Sequence, residues 1–192
     1  MARRPLEREQ VCLDGGRRTT QLMRDSLDGA PSMSTYTYKL FADYHQFYLQ
    51  DQNASGDLSD AWTDQAVADL VALAPGTIGV GTVRNMFVPV RVQVSPNPPP
   101  IDLEPWDHVV ECDIDVPTGQ LVIAGCTDYL PDAARIKVEP GHYRARINYG
   151  GLDTLSEDGL EGADRYELVL WRALPGGTQV LKRHPPYGRR AV

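Results

Sequence analysis

The feature that most constrains the fold is a strict alternation of apolar and acidic residues that runs into a turn. It lies within WDHVVECDIDVPTGQLVIAGCTDY, residues 106–129. The apolar positions are Val110, Cys112, Ile114 and Val116, and the acidic positions are Glu111, Asp113 and Asp115. Because successive side chains of a strand point to opposite faces, this pattern predicts a strand with one buried and one wet face. Pro117 to Gly119 supplies a turn, so the stretch predicts a β-hairpin.

Most of the remaining chain also has the character of strands, and one segment has that of a helix. The run ARIKVEPGHYRARINYGG predicts a second hairpin-like unit around Pro140 and Gly141. The run WTDQAVADLVALAPG predicts a helix over residues 64–74, with Thr63 as its cap and Pro75 after its end. With about seven to eight strands expected from the strand patterns, the chain is predicted to be mostly β. We expect a two-layer antiparallel β-sandwich with one short α-helix.

The chain of 192 residues has a length typical of one domain with flanking segments. Residues 1–32 are polar and lack a sustained period, which predicts an N-terminal extension that is disordered or locally helical. An arm that packs on the domain is the alternative. Aromatic and β-branched residues begin at Met33, so we place the β-sandwich domain at residues 33–175. Residues 176–192 are predicted to form a basic C-terminal tail that is mobile.

Charge and cysteine content limit the classes of function. The net charge is −7, which argues against direct binding of nucleic acid and suits a basic protein partner. No apolar run approaches the roughly 20 residues that span a bilayer, so no membrane association is expected. The N-terminus lacks the apolar stretch of a secretory signal, and the cysteine count of 3 is odd. Both observations favour reduced thiols in the cytoplasm.

A second acidic stretch lies in YGGLDTLSEDGLEGADRYELVLW, residues 149–171. Its acids are Asp153, Glu157, Asp158, Glu161 and Asp164. Their spacing does not match the ligand pattern of an EF-hand, although an irregular calcium site stays open. The other interpretations are a protein-binding rim and a solvated connection between two strands.

The acids at Glu111, Asp113 and Asp115 would repel one another unless cations lie nearby. Arg144 and Arg146 share one face of a later strand, so we expect a cross-strand charge network rather than a catalytic carboxylate pair. No paired ligand motif predicts a metal or cofactor site. A hydrolase site that pairs a cysteine with a histidine can be assembled only without a recognisable motif.

One stretch of the chain resembles a known family. ADYHQFYLQD, then WTDQAVADLVALAPGTIGVGTVRN with an alternating strand behind it, is similar to the competence protein J family. PGHYRARINYGG and ELVLW resemble the closing β unit of that family, so the resemblance covers about residues 36–171. The present chain departs from the pattern in its longer and more acidic 149–171 segment and in its two flanking extensions.

The resemblance implies a small protein that is not an enzyme and that binds and restrains a DNA-entry nuclease, much as an immunity protein does. Together with the net charge, it leads us to expect an acidic inhibitor of a basic partner, with a nuclease as the candidate. The partner-binding residues are predicted to be Glu111, Asp113, Asp115, Asp153, Glu157 and Asp158. A calcium- or small-ligand-binding module and a hydrolase are the alternative functions.

Overall fold

The structure is a computed structural model that describes residues 8–14, 17–23, 32–55 and 57–185. The described chain is mostly β, with strands in two sheets and one short α-helix. The strands are β1 (Arg8–Asp14), β2 (Arg17–Met23), β3 (Ser34–Phe41), β4 (Gln46–Asp51), β5 (Val71–Ala74), β6 (Thr77–Gly81), β7 (Phe87–Val94), β8 (His108–Val116), β9 (Gln120–Gly125), β10 (Ala134–Lys137), β11 (Gly141–Gly150), β12 (Arg165–Arg172) and β13 (Gln179–Lys182). The helix is α1 (Asp64–Asp69).

The larger sheet has eight strands in the order β1-β2-β3-β7-β12-β11-β8-β13, and the smaller has five in the order β10-β9-β4-β6-β5. Neighbouring strands run antiparallel, except that β12 pairs with β7 in parallel. The prediction of a mostly β chain is therefore confirmed. The predicted number of strands was too low, and the expectation of a purely antiparallel arrangement was wrong.

The two sheets contribute to one apolar core. Val90, Ile147 and Leu168 of the larger sheet belong to the same cluster of buried side chains as Leu49 and Ile123 of the smaller. The apolar face predicted for residues 110–116 is buried in this cluster. The alternation in the sequence therefore identified correctly which side of β8 faces the core.

The predicted hairpin around Pro117 to Gly119 is wrong, because β8 and β9 belong to different sheets. The turn has the expected local form, with the Gly119 amide donating to the Val116 carbonyl at 3.2 Å. Beyond it, however, β9 pairs with β4 and β10. The second predicted hairpin fails in the same way, since β10 pairs with β9 whereas β11 pairs with β8 and β12. A short turn fixes the local path of the chain but does not fix which strand becomes the neighbour.

The helix predicted over residues 64–74 is too long. Thr63 caps it as expected, accepting from the Ala66 amide at 3.2 Å, but it ends at Asp69. Leu70 adopts a left-handed conformation with φ 54°, and residues 71–74 form β5 against β6. The apolar spacing that resembled a helix face therefore belongs partly to a buried strand.

Residues 176–185, predicted to lie in a mobile tail, pack on the domain. Here β13 pairs with β8, and Lys182 donates to the Leu103 carbonyl at 3.0 Å. Residues 186–192 lie outside the described part of the chain, as do residues 1–7, 15–16 and 24–31 of the predicted extension. In the described segments, no helix has the length and apolar character needed to cross a membrane.

Candidate functional site

The acidic face of β8 forms a charge network with β11, as the sequence predicts. Strand register places Arg144 opposite Asp113 and Arg146 opposite Glu111. Arg144 contacts Glu111 and Asp113, each at 2.9 Å, and Arg146 contacts Glu111 at 2.8 Å. Glu111 and both arginines are buried, so their opposite charges compensate one another inside the protein.

Asp113 also anchors the loop that leads into β13. Its carboxylate accepts from the Gly177 amide at 2.6 Å and from the Gly176 amide at 3.1 Å. Burial acts to raise the pKa of Asp113, but the bonds from Arg144, Gly177 and Gly176 prevail and hold that pKa below its usual range. Asp113 is therefore a charged structural anchor at neutral pH.

Asp115 differs from its two neighbours because its side chain is exposed. It contacts His142 at 2.7 Å at the end of β8 next to the turn. The other predicted acids follow Gly150, at the opposite end of β11. At about 3.4 Å per residue of strand, the two groups are separated by on the order of 25 Å. The structure thus brings Asp153, Glu157 and Asp158 together and leaves Asp115 apart from them.

The acidic loop, residues 151–164, is held at both ends. At its start, the Leu152 amide donates to Asp107 at 2.8 Å. At its end, buried Asp164 accepts from the Tyr166 hydroxyl at 2.9 Å and contacts Arg84 at 2.5 Å. Asp164 is therefore a structural anchor of the loop and is not available to a partner.

Between these anchors, the loop displays carboxylates to solvent. Asp153, Glu157, Asp158 and Glu161 are all exposed. Asp158 accepts from the Ser156 hydroxyl at 2.6 Å and from the Leu160 amide at 3.1 Å, which orders the tip of the loop. Asp153 contacts His184 at 3.1 Å and so joins the loop to the segment behind β13. The loop presents an ordered anionic surface.

Next to this loop lies an open groove, which we did not predict from the sequence. The groove consists of two adjoining hollows of about 300 and 570 Å³. Both are lined by His45, Val67, Leu70 and Thr82, so they form one continuous depression. Leu152 of the acidic loop lines the larger hollow, which makes the groove and the loop neighbours.

Buried side chains fix α1 along the groove by donating to its last carbonyls. The Tyr149 hydroxyl donates to the Leu70 carbonyl at 2.6 Å, and His108 contacts the Asp69 carbonyl at 2.9 Å through Nε2. The Nδ1 atom of His108 accepts from the His184 amide at 3.2 Å, so His108 is neutral with its proton on Nε2. These bonds satisfy groups that a helix terminus leaves free.

Backbone strain is concentrated at the groove. Among the described residues, the non-glycine positions with positive φ are Tyr44 at 54°, His45 at 59° and Leu70 at 54°, and all three line it. The left-handed conformation costs an ordinary residue roughly 1–2 kcal/mol. The spacing of hydrophobic residues in a sequence carries no information on backbone φ. The three strained residues could therefore not be predicted from the sequence.

The described part of the chain shows no arrangement of side chains that supports the alternative functions of a hydrolase or a metal-binding module. No group of histidine, cysteine or acidic side chains there is arranged to hold a metal ion. Cys112 is buried in the core, and neither Cys112 nor Cys126 lines either hollow of the groove. Burial raises the pKa of Cys112 to about 12, which opposes formation of a nucleophilic thiolate.

Comparison with known proteins identifies the fold. Neither a protein-family model nor a curated protein matches the chain. The structure is similar to that of ComJ from Bacillus subtilis, an inhibitor of the DNA-degrading activity of NucA. The TM-score is 0.59 at 17% identity, over 74% of this chain and 100% of ComJ.

A second solved structure, described as crocagin biosynthetic gene J, matches with a TM-score of 0.50 at 14% identity. The match covers 73% of this chain and 98% of the other. The expected resemblance to competence protein J is thus confirmed at the level of the fold, and this chain has a ComJ-like fold.

Proposed function

We propose that this chain is a non-enzymatic, acidic binding protein that inhibits a basic protein partner, with a nuclease as the candidate. We take its two sheets to be the layers of a β-sandwich that presents the acidic loop. The observation that carries the proposal is the ordered loop with exposed Asp153, Glu157 and Asp158 on a ComJ-like fold. The inhibitory role of ComJ supports the choice of partner.

Electrostatics favour the acidic loop over the β8 face as the contact surface. A nuclease binds DNA with a basic cleft, and carboxylates aimed at that cleft raise the association rate and the specificity of binding. Glu111 and Asp113 are neutralised by Arg144 and Arg146, whereas Glu157 is exposed at the tip of the loop. We assign the contact mainly to the loop, with Asp115 at most at a distant edge.

We place the protein in the cytoplasm. Cys112 and Cys126 are free thiols, which suits a reducing compartment.

The test is a pull-down from source cells, followed by a DNA-degradation assay on the captured protein. In the variant Glu157→Lys/Asp158→Asn, one negative charge becomes positive and a second is neutralised. The asparagine keeps the side-chain oxygen that accepts from Ser156 and Leu160. We expect the unmodified chain to capture a basic protein and to lower its DNA degradation, and the variant to lose both effects.

A matched control makes the same change of charge elsewhere. Asp132 and Glu139 are exposed and lie outside the acidic loop, so Asp132→Lys/Glu139→Gln should capture the partner normally. Retention of every captured protein by the loop variant would refute the proposed contact surface. A captured protein whose activity is unaffected by the chain would refute the inhibitory role.

A further inference from the structure

The groove beside the acidic loop has the layout of a binding hot spot. Two large apolar side chains at the groove are exposed, Tyr44 at 75% and Val67 at 56% of their surface. Interfaces concentrate their binding energy in an apolar centre that contains aromatic residues and is surrounded by a polar rim. Here Tyr44 and Val67 would form that centre, and charged residues of α1 and the acidic loop would form the rim.

The backbone at Tyr44 is held in its strained conformation by bonds of the residues beside it, but the Tyr44 side chain itself is not buried. Leu70 is also left-handed, but it ends α1 and its carbonyl accepts from Tyr149. The His45 carbonyl accepts from the Thr82 amide at 2.7 Å, which holds the turn in place. The Tyr44 ring gains no burial in return for its backbone conformation. Strained residues of this kind cluster at ligand clamps and binding sites.

The charges along the groove favour a cationic partner. Arg183 contacts Asp69 at 2.5 Å, and His184 contacts Asp153, so both groups already have anionic partners. Asp64 lines the larger hollow, is exposed, and makes no ion pair with any other described residue. The acidic loop begins at the same hollow through Leu152. Among the described residues at the rim, the charge that remains without a partner of opposite sign is negative.

We infer that the groove is the anchor site for the partner: it takes one large apolar side chain of a basic protein segment. Lysine or arginine residues on either side of that anchor then meet Asp64 and the acidic loop. The inference rests on the proposed function and adds the shape and chemistry of the recognised segment. It assigns affinity to the groove and long-range attraction to the acidic loop.

The test uses three synthetic peptides and the full chain labelled with ¹⁵N. The probes are Arg-Arg-Phe-Arg-Arg, Arg-Arg-Ala-Arg-Arg and Glu-Glu-Phe-Glu-Glu, followed by amide chemical-shift changes. We expect the first peptide to shift residues of the groove and of the acidic loop. The second should shift the loop alone, and the third should bind at least tenfold more weakly than the first.

Two neutral substitutions separate the groove from the rest of the surface. Val67→Ser and Tyr44→Gly should each lower the affinity for the first peptide at least threefold. Tyr44→Gly should also raise the melting temperature of the protein, because glycine tolerates positive φ. Leu174 is 87% exposed and does not line the groove, so Leu174→Ser should bind normally.

The possible failures point to different causes. If the phenylalanine and alanine peptides bind equally and shift only the acidic loop, the anchor site is refuted and the proposed function stands. If the basic and acidic phenylalanine peptides bind equally, the cationic character of the partner is refuted, and the proposed function falls with it. Normal binding by both Val67→Ser and Tyr44→Gly would also overturn the inference.

Discussion

At the scale of single residues, His108 shows how the core holds the groove in place. Its ring is buried, packs edge-on against Tyr149 with 5.2 Å between centroids, and joins Asp69 of α1 to His184 behind β13. Protonation would place a second N–H against the His184 amide and break that bond. The neutral ring therefore connects two of the segments that line the groove, α1 and residues 183–185.

Acid should weaken the protein through His108. Burial is the main cause that lowers the pKa of His108 below its ordinary value of 6.5, and the nearby charge of Arg183 acts in the same direction. Bonding to the Asp69 carbonyl and the Asp69 charge oppose the shift. The unfolded chain therefore binds the proton more readily, and stability is lost as the pH falls below about 6.5 towards the folded-state pKa.

The variant His108→Gln isolates this effect, since a glutamine amide can donate to Asp69 and accept from His184 without titrating. We expect the free energy of unfolding, measured with urea between pH 7.5 and 5, to fall more steeply for the unmodified chain than for the variant. The comparison subtracts every contribution to the pH dependence that the two proteins share. Parallel pH profiles for the two proteins would show that His108 does not titrate in this range.

Single residues were also where sequence reasoning succeeded best. The alternation at Cys112 and Glu111 correctly placed these residues on opposite faces of β8, and the partner arginines Arg144 and Arg146 were identified correctly. The expectation that the acidic face is wet was wrong for Glu111, which is buried. Both results depend on a local period of two and on charge compensation. The strain at Tyr44 depends on tertiary bonds to its neighbours, so no local pattern announces it.

At the scale of elements, the acidic loop is a shaped connection between β11 and β12. Gly151 and Gly159 both have positive φ, at 71° and 70°. Only Gly151 is tightly enclosed, because a Cβ there would lie 2.3 Å from the Ala163 carbonyl oxygen. Gly159 has open space around it. The two glycines therefore offer a matched pair within one loop.

Gly159→Ala should lower the free energy of unfolding by about 1 kcal/mol, because alanine is strained in the left-handed conformation. Gly151→Ala should cost clearly more, since the steric clash with Ala163 adds to the same backbone penalty. Urea denaturation of both variants would give the two losses. Equal losses would mean that the base of the loop can move aside, which would contradict its role as a rigid support for Glu157 and Asp158.

The elements also mark where prediction from the sequence fails. Thr63 located the start of α1, but the end required knowledge that β6 pairs with residues 71–74. The turn at Gly119 was located correctly, while the sheet on its far side was not. In each case the decisive interaction joins segments that are far apart in sequence, and a local window contains no trace of it.

At the scale of the whole molecule, the net charge of −7 sets how a partner approaches. Opposite charge accelerates encounter, and dissolved salt screens it over about 8 Å at physiological ionic strength. The association rate constant of the partner captured in the pull-down should therefore fall by roughly tenfold or more when sodium chloride is raised from 50 to 500 mM.

Biolayer interferometry with the immobilised chain would measure these association rates. The dissociation rate should change less than the association rate, because we assign short-range affinity to the apolar groove. The Glu157→Lys/Asp158→Asn variant should give a flatter dependence on salt than the Asp132→Lys/Glu139→Gln control. Identical salt slopes for these two variants would show that the attraction does not originate at the acidic loop.

The parallel pair β7–β12 has a consequence for how the protein is made. On the ribosome, β7 is complete at Val94, but its neighbour does not begin until Arg165 has been added. At the usual pace of translation, that interval lasts on the order of several seconds. During it, β7 can pair with β3 on one side while its other edge stays open, a template on which neighbouring nascent chains can aggregate. We therefore expect synthesis of this protein to depend on chaperones that shelter a half-built sheet.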